Sequence, residues 1–376
     1  MRILVLHSRY LSGALSGENS VVDDECALLR SAGHDVRLYA PSVRPSRRGA
    51  SLAIDAVWNR SEVGAVREHL RGIRPDVVHV HSVFPALSPA VLRALPDSTP
   101  VVMTLHNFRY SCLPATFFRD GRTCEDCLGK LPVRGVLHGC YRGSWAASAA
   151  LATSLGLHRA LESWERVRLF LAVSAFVRSK HVQAGLSPEK IRVKPNFAHA
   201  VARRQGPGEY LLALGRLTPE KGFDTVVAAA REDGQRLLVV GDGPARKDLQ
   251  TMAGPNTTFV GPVGRERVPE LLRGARALVF PSRCYEGSPR AILEAFAAGV
   301  GAIASRIGGV AELLRDPAAG VLPPPDDNTA WISALSHFRD DSVATRAGEA
   351  AHELWRTHFS PATALRDLES AYEAVL

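Results

Sequence analysis

The sequence predicts an α/β protein built from two doubly wound, Rossmann-like parallel-sheet domains facing a cleft. Three observations carry this. Short continuous apolar runs, such as 3–6 and 237–240, alternate with stretches of helical period along both halves, as buried parallel strands and their crossover helices do. A polar stretch with Gly and Pro near its end, 199–209, separates two such series and reads as a linker. The length, 376 residues, suits two domains at roughly 100–200 residues each.

Taken in order, 3–6 is a strand, and a loop with Gly13 and Gly17 follows. Val21, Val22, Cys26, Leu28 and Leu29 recur at helical spacing, with Gly33 placed as a C-cap. A strand begins at Val36. The pattern continues with strands at 77–80 and 101–105, a helix at 89–95, a strand at 170–173, a helix at 176–184 and a strand at 191–193. Between 108 and 144 the alternation lapses, and this stretch reads as an insertion. The second series has strands at 210–214, 237–240, 258–260, 278–280 and 302–304. Helical patterns start near Phe223, Ala245, Arg267, Arg290 and Val310. From Asn328 to Leu376 the period is helical, with a break at Ser360 and Pro361. The expected domains are 1–197, which carries the 108–144 insertion, and 210–355. A terminal helix, 356–376, is expected to pack back on the first.

Composition narrows the function classes. With 46% hydrophobic and 22% charged residues, the chain is neither disordered nor collagen-like. No apolar run approaches the roughly 20 residues of a membrane span. Met1 is followed by Arg2 and a short strand-like run rather than a secretory signal, which predicts a cytoplasmic protein. Charge is uneven: residues 1–196 hold 26 basic and 16 acidic side chains, a net of +10, and the remainder nets −2. Such asymmetry points the first half at an anionic partner or surface, or reflects a solvated basic face.

Motifs narrow them further. Neither opening strand leads into Gly-x-Gly-x-x-Gly and there is no Walker A sequence, which disfavours hydride transfer and P-loop chemistry. No two aspartates lie two apart, so a metal-dependent Asp-x-Asp site has no candidate and no catalytic metal is expected. Two carboxylates are present, Glu286 after the strand at 278–280 and Glu294 one turn into the next helix, whose first turn suits Pro289. Unpaired N–H groups at Gly287 and Ser288 would face the strand ends, where an anionic or hydroxyl-rich ligand could sit. Arg216 and Lys221 flank a turn after the strand at 210–214. Two cations beside a helix start can clamp a diphosphate and offset charge on a leaving group.

The ordered series Gly-Arg-x4-Lys-Gly, Gly-Asp-Gly-Pro, Pro-Ser-x3-Glu-Gly-x6-Glu-Ala-x3-Gly and Gly-Gly-x2-Glu, over about 210–325, resembles the nucleotide-binding half of glycosyltransferase family 4. The first half resembles that family more loosely, through Thr104-Leu105-His106-Asn107 and the glycines after the first strand. The resemblance implies the GT-B fold and a transferase that retains anomeric configuration. It implies that Arg216 and Lys221 hold the diphosphate of a UDP- or GDP-sugar donor and Glu294 its ribose hydroxyls. Glu286 would contact the transferred sugar, Gly287 and Ser288 would offer backbone N–H groups, His106 would lie near the sugar, and Gly13 close to the phosphates. Where the family often has Phe-Gly after its first Glu-Gly, this chain has Ser288 and Pro289.

His106 stands at a strand's carboxyl end, a position that favours a site role over a core one. Asn196 could line the cleft or shape a hinge turn. Four cysteines, Cys112, Cys124, Cys127 and Cys140, crowd the insertion. Their spacing allows a structural Zn²⁺ site, with His138 as an alternative ligand. Reduced thiols or a redox disulfide are the other readings. Flanking arginines are expected to lower the thiol pKa values, and the insertion is expected to shape the acceptor pocket.

The function expected is therefore metal-independent transfer of a sugar from a nucleotide diphosphate sugar to the hydroxyl of a small-molecule or lipid-linked acceptor, by front-face displacement. Peripheral contact of the basic half with an anionic membrane is compatible with it, and no nucleic-acid partner is expected. The alternative is an anionic-surface or nucleic-acid binding module using the basic half and a four-cysteine knuckle.

Overall fold

The strands form two six-stranded sheets in which every neighbouring pair is parallel. The structure is a computed structural model and describes residues 1–9, 17–43 and 50–376. The first sheet contains β1 (Arg2–Leu6), β2 (Asp35–Tyr39), β3 (Val77–Val80), β4 (Val101–Leu105), β7 (Leu169–Ala172) and β8 (Ile191–Val193), in the order β2-β1-β3-β4-β7-β8. Between β4 and β7 the two-residue strands β5 (Phe118–Arg119) and β6 (Arg122–Thr123) pair as a separate hairpin. The second sheet contains β9 (Tyr210–Leu214), β10 (Leu237–Val240), β11 (Thr257–Gly261), β12 (Ala275–Phe280), β13 (Ala302–Ala304) and β14 (Gly320–Val321). Its order is β11-β10-β9-β12-β13-β14.

Two units result. The first comprises Met1–Phe117, Cys124–Lys194 and Leu365–Leu376, and the second Phe118–Thr123 and Pro195–Ala364. In the first, β3 and β4 are buried along their whole length, which is why apolar residues dominate both. The helix Gly17–Ser31 turns Val22, Cys26 and Leu29 onto Ile3, Val5 and Val36. Leu368, Ala371, Tyr372 and Val375, from the chain's last residues, complete that same cluster. At about 1.5–3 kcal/mol for each large apolar side chain fully buried, this segment is integral to the unit.

In the second unit the helix Phe223–Asp233 covers one face of the sheet together with Trp331, Leu335 and Phe338. The helix Arg290–Ala297 covers the other, with Ile292, Leu293 and Phe296 fully buried. Sequence reading passed over the helices Ala50–Val57, Arg60–Ile73 and Trp145–Ala160. The segment predicted as a helix at 89–95 is a 3₁₀ turn, Pro89–Ala94, entered through Ser88 at φ 63°.

Candidate active site

In the second sheet the direction of winding reverses between β9 and β12. Ligands of doubly wound sheets sit outside the carboxyl ends of the strands at such a point. The loop after β9 carries Arg216 and Lys221, and the loop after β12 carries Ser282 and Glu286. These loops touch at Gly222, whose φ of +65° and separation of 2.2 Å between an added Cβ and the Pro281 carbonyl oxygen leave room for glycine alone. The Arg283 N–H donates to the Glu220 carbonyl at 2.9 Å and ties them further.

This closeness brings Lys221 Nζ onto Glu286 Oε1, which also accepts from Ser282 Oγ at 2.9 Å. Both partners are largely buried, with side chains 20% and 16% exposed. Burial works against the Lys221 ammonium, but the Glu286 carboxylate more than offsets it, and the lysine pKa lies above its usual value. The Glu286 backbone is fixed from beneath: the Gly309 N–H donates to its carbonyl at 2.8 Å, and a Cβ on Gly308 would lie 2.7 Å from that oxygen.

Ser288 is held by Asn196, which donates from its backbone N–H to Ser288 Oγ at 3.3 Å and from Nδ2 to the Ser288 carbonyl at 2.8 Å. The helix Arg290–Ala297 then opens after Pro289 without a side-chain cap, and its positive dipole end favours an anionic group there. Glu294 pairs with Arg290 at 3.0 Å, and Arg216 is 61% exposed, 3.9 Å from Glu220. The structure thus joins Lys221 and Glu286 in one cluster with Gly287 and Ser288 next in the chain. Arg216 and Glu294 are held by other partners. Ser282, Arg290 and the Asn196–Ser288 clamp were missed, because pairing across such sequence separations is not visible before folding. Gly13 lies outside the described residues.

In the first unit, His7, His81 and His106 follow the carboxyl ends of β1, β3 and β4. His81 Nδ1 and His106 Nε2 are 2.9 Å apart with their rings stacked. His81 Nε2 faces Glu25 Oε2 at 3.7 Å, and the other oxygen of Glu25 is paired with the buried Lys194 ammonium. One of these two rings therefore donates to the other through the 2.9 Å contact. His79 accepts or donates at both nitrogens, to Tyr372 and Thr104, each at 2.8 Å, and Asn107 donates to half-buried Glu18. His79 in an otherwise apolar strand, with His81 just past its end, was the sequence signal of this network.

Burial disfavours charge on all these rings. The pKa of His79 is pushed down to about 3 and that of His181 to about 4, while those of His81 and His106 fall well below the usual 6.5. Below pH 6.5 the unfolded chain takes up protons that the folded rings refuse, so stability is full at neutral pH and is lost as pH falls. Each strongly shifted ring contributes a slope of up to about 1.4 kcal/mol per pH unit. Burial raises the carboxyls of Glu18 and Asp367 and opposes this, but the histidines it lowers are more numerous. The melting temperature should drop steeply between pH 6.5 and 4.5. Thermal melts across that range test it, and a flat profile would contradict the assignment.

The structural Zn²⁺ expected at the four cysteines is not supported. Among the described residues the one group of three that could share an ion is Glu25, His79 and His81, and there the Lys194 ammonium already holds the carboxylate. No disulfide joins the cysteines, and burial, rather than the flanking arginines, governs two of them: Cys112 is pushed up to about 11 and Cys127 is raised. The insertion is pinned by other means. Arg159 donates to the carbonyls of Lys130 at 3.3 Å and Tyr110 at 3.1 Å, Lys180 pairs with Glu125 at 2.7 Å, and Tyr141 lies between Arg109 and Arg142.

Comparison with known proteins decides the family. Residues 15–200 match the model of Glycosyltransferase Family 4, and residues 208–341 match that of Glycosyl transferases group 1. The chain is a family 4 glycosyltransferase of the GT-B type. A relative, the alpha-D-kanosaminyltransferase of Streptomyces kanamyceticus, is 24% identical over 88% of this chain and 86% of its own length. A GDP-mannose-dependent alpha-(1-6)-phosphatidylinositol monomannoside mannosyltransferase of Mycobacterium tuberculosis is 29% identical over 52% of this chain and 56% of its own. Among solved structures, Anabaena Alr3699/HepE in complex with UDP-glucose superposes over the whole of both chains with TM-score 0.68 at 17% identity, a likeness of fold. With the family models spanning both halves, the reading as a binding module alone is not favoured.

Proposed function

We propose that this glycosyltransferase moves a sugar, with retention and without a catalytic metal, from a UDP- or GDP-sugar to the hydroxyl of a small-molecule or lipid-linked acceptor. The observation that carries it is the Lys221–Glu286–Ser282 cluster at the winding reversal of the second sheet, beside an uncapped helix start. Lys221 and Arg216 hold the diphosphate and stabilise charge as it develops on the leaving group. Glu294 takes the ribose hydroxyls, Gly287 and Ser288 give backbone N–H groups, and Gly13 contributes near the phosphates. Glu286 binds the hydroxyls of the transferred sugar, so the pair with Lys221 becomes a bridge between the sugar end and the phosphate end of one donor. His106, kept neutral by burial, hydrogen-bonds a sugar or acceptor hydroxyl. Because the chemistry relies on position and electrostatics, the leaving phosphate itself removes the acceptor proton on the same face. The domains at 1–197 and 210–355 divide acceptor and donor binding between them.

A thermal-shift screen of nucleoside diphosphates and their sugars tests the reading. One of UDP or GDP should raise the melting temperature selectively, by the linkage of binding to folding, without added divalent ion and undiminished by chelator. Arg216→Ala should shrink that rise. Equal response to every nucleotide, or dependence on a metal, would refute it.

A further inference from the structure

We propose that residues 131–145 of the first unit form a docking surface for an anionic phospholipid bilayer. Leu131, Val133, Leu137 and Trp145 are 58%, 58%, 71% and 64% exposed, half of the eight large hydrophobic side chains that stand out among the described residues. Their outward aim follows from helix geometry. In the short helix Val133–Leu137, Gly135 is buried, and a Cβ there would lie 2.9 Å from a methyl of Leu113. Val133 and Leu137, each two residues from Gly135, therefore fall on the opposite side at one i, i+4 spacing. Leu131 lies over Gly156 of the helix Trp145–Ala160, with 3.5 Å between its methyl and an added Cβ, and Trp145 begins that helix.

Charge selects the occupant. Lys130, Arg134 and Arg142 are exposed and interleave with the apolar side chains. No Asp or Glu occurs between Asp126 and Glu162. The two nearest carboxylates upstream are already engaged, Asp126 with Arg134 at 3.5 Å and Glu125 with Lys180 at 2.7 Å. A second copy of the chain would set cation against cation across this face. An anionic bilayer instead offers phosphates to the three cations, hydrocarbon to the leucines and valine, and an interfacial zone suited to an indole ring. No described helix is long and apolar enough to cross a membrane, so the contact is peripheral.

The test needs neither donor nor acceptor, so its outcome is independent of the proposed reaction. The full chain is floated with vesicles of phosphatidylcholine alone or mixed with phosphatidylglycerol. Binding is expected on the mixed vesicles, at least ten-fold weaker on phosphatidylcholine, and falling as salt rises. Leu137→Asp with Trp145→Asp should reduce binding at least ten-fold with the melting temperature unchanged, and Lys130→Gln with Arg134→Gln and Arg142→Gln should remove the salt-sensitive part. The proposal is overturned if the wild type binds neither vesicle, if both variants bind as it does, or if these residues instead support a concentration-dependent dimer that the aspartate pair dissolves.

Discussion

Replacing Glu286 with alanine is expected to lower turnover by about 10²–10³-fold, the usual cost of removing one preorganised polar group that acts on the reacting centre, while nucleoside diphosphate affinity changes only a few-fold. The reason lies in the pairing. Lys221 Nζ shares Glu286 Oε1 with Ser282, so removing the carboxylate frees the ammonium for the diphosphate and leaves nucleotide binding largely intact. What is lost is the grip on the sugar, which the proposed mechanism needs while the bond to the leaving phosphate breaks. Glu286→Gln keeps the shape but not the charge, and should fall between wild type and alanine. Initial rates with a saturating donor, set beside calorimetric titration of the nucleotide, separate the two effects. Unchanged turnover would remove Glu286 from the reaction, and a collapse of nucleotide affinity would make it a structural partner of Lys221 alone.

Lys194→Met should destabilise the first unit by about 3–5 kcal/mol, because it strands the carboxylate of Glu25 in an interior where both side chains are at most 2% exposed. In a unit of this size that corresponds to a fall of roughly 10 °C in melting temperature. Combining Lys194→Met with Glu25→Gln should recover much of the loss, since the cost lies in the unpaired charge rather than in the absence of the bridge. The single and double variants together form a cycle that isolates the pair. If the single variant melts with the wild type, the carboxylate is not buried as described.

The parallel strands were legible because burial on both faces leaves an unbroken apolar run, as at 3–6 in β1 and throughout β10. The site was legible in part for a related reason. Glycines such as Gly222 and Gly308 mark backbone approaches that no other residue permits, and they fix the spacing of the motif. Lys194 was not legible, since a lysine after a strand reads as solvent-facing until its buried partner Glu25 is placed beside it. The cysteine cluster misled because spacing reports which thiols share a segment, not what holds that segment. Here arginine-to-carbonyl bonds from Arg159 do so, and nothing in the sequence distinguishes that arginine from its neighbours.

The closing residues Leu365–Leu376 belong to the unit built around the opening strand, and Tyr372 reaches His79 at 2.8 Å. During synthesis the amino-terminal half therefore waits, its hydrophobic centre missing Leu368, Ala371, Tyr372 and Val375, until the ribosome has passed the whole of the second unit and delivered these residues. The usual order of maturation, first-made portion first, is inverted: the middle of the chain can settle on its own schedule, while the beginning matures last.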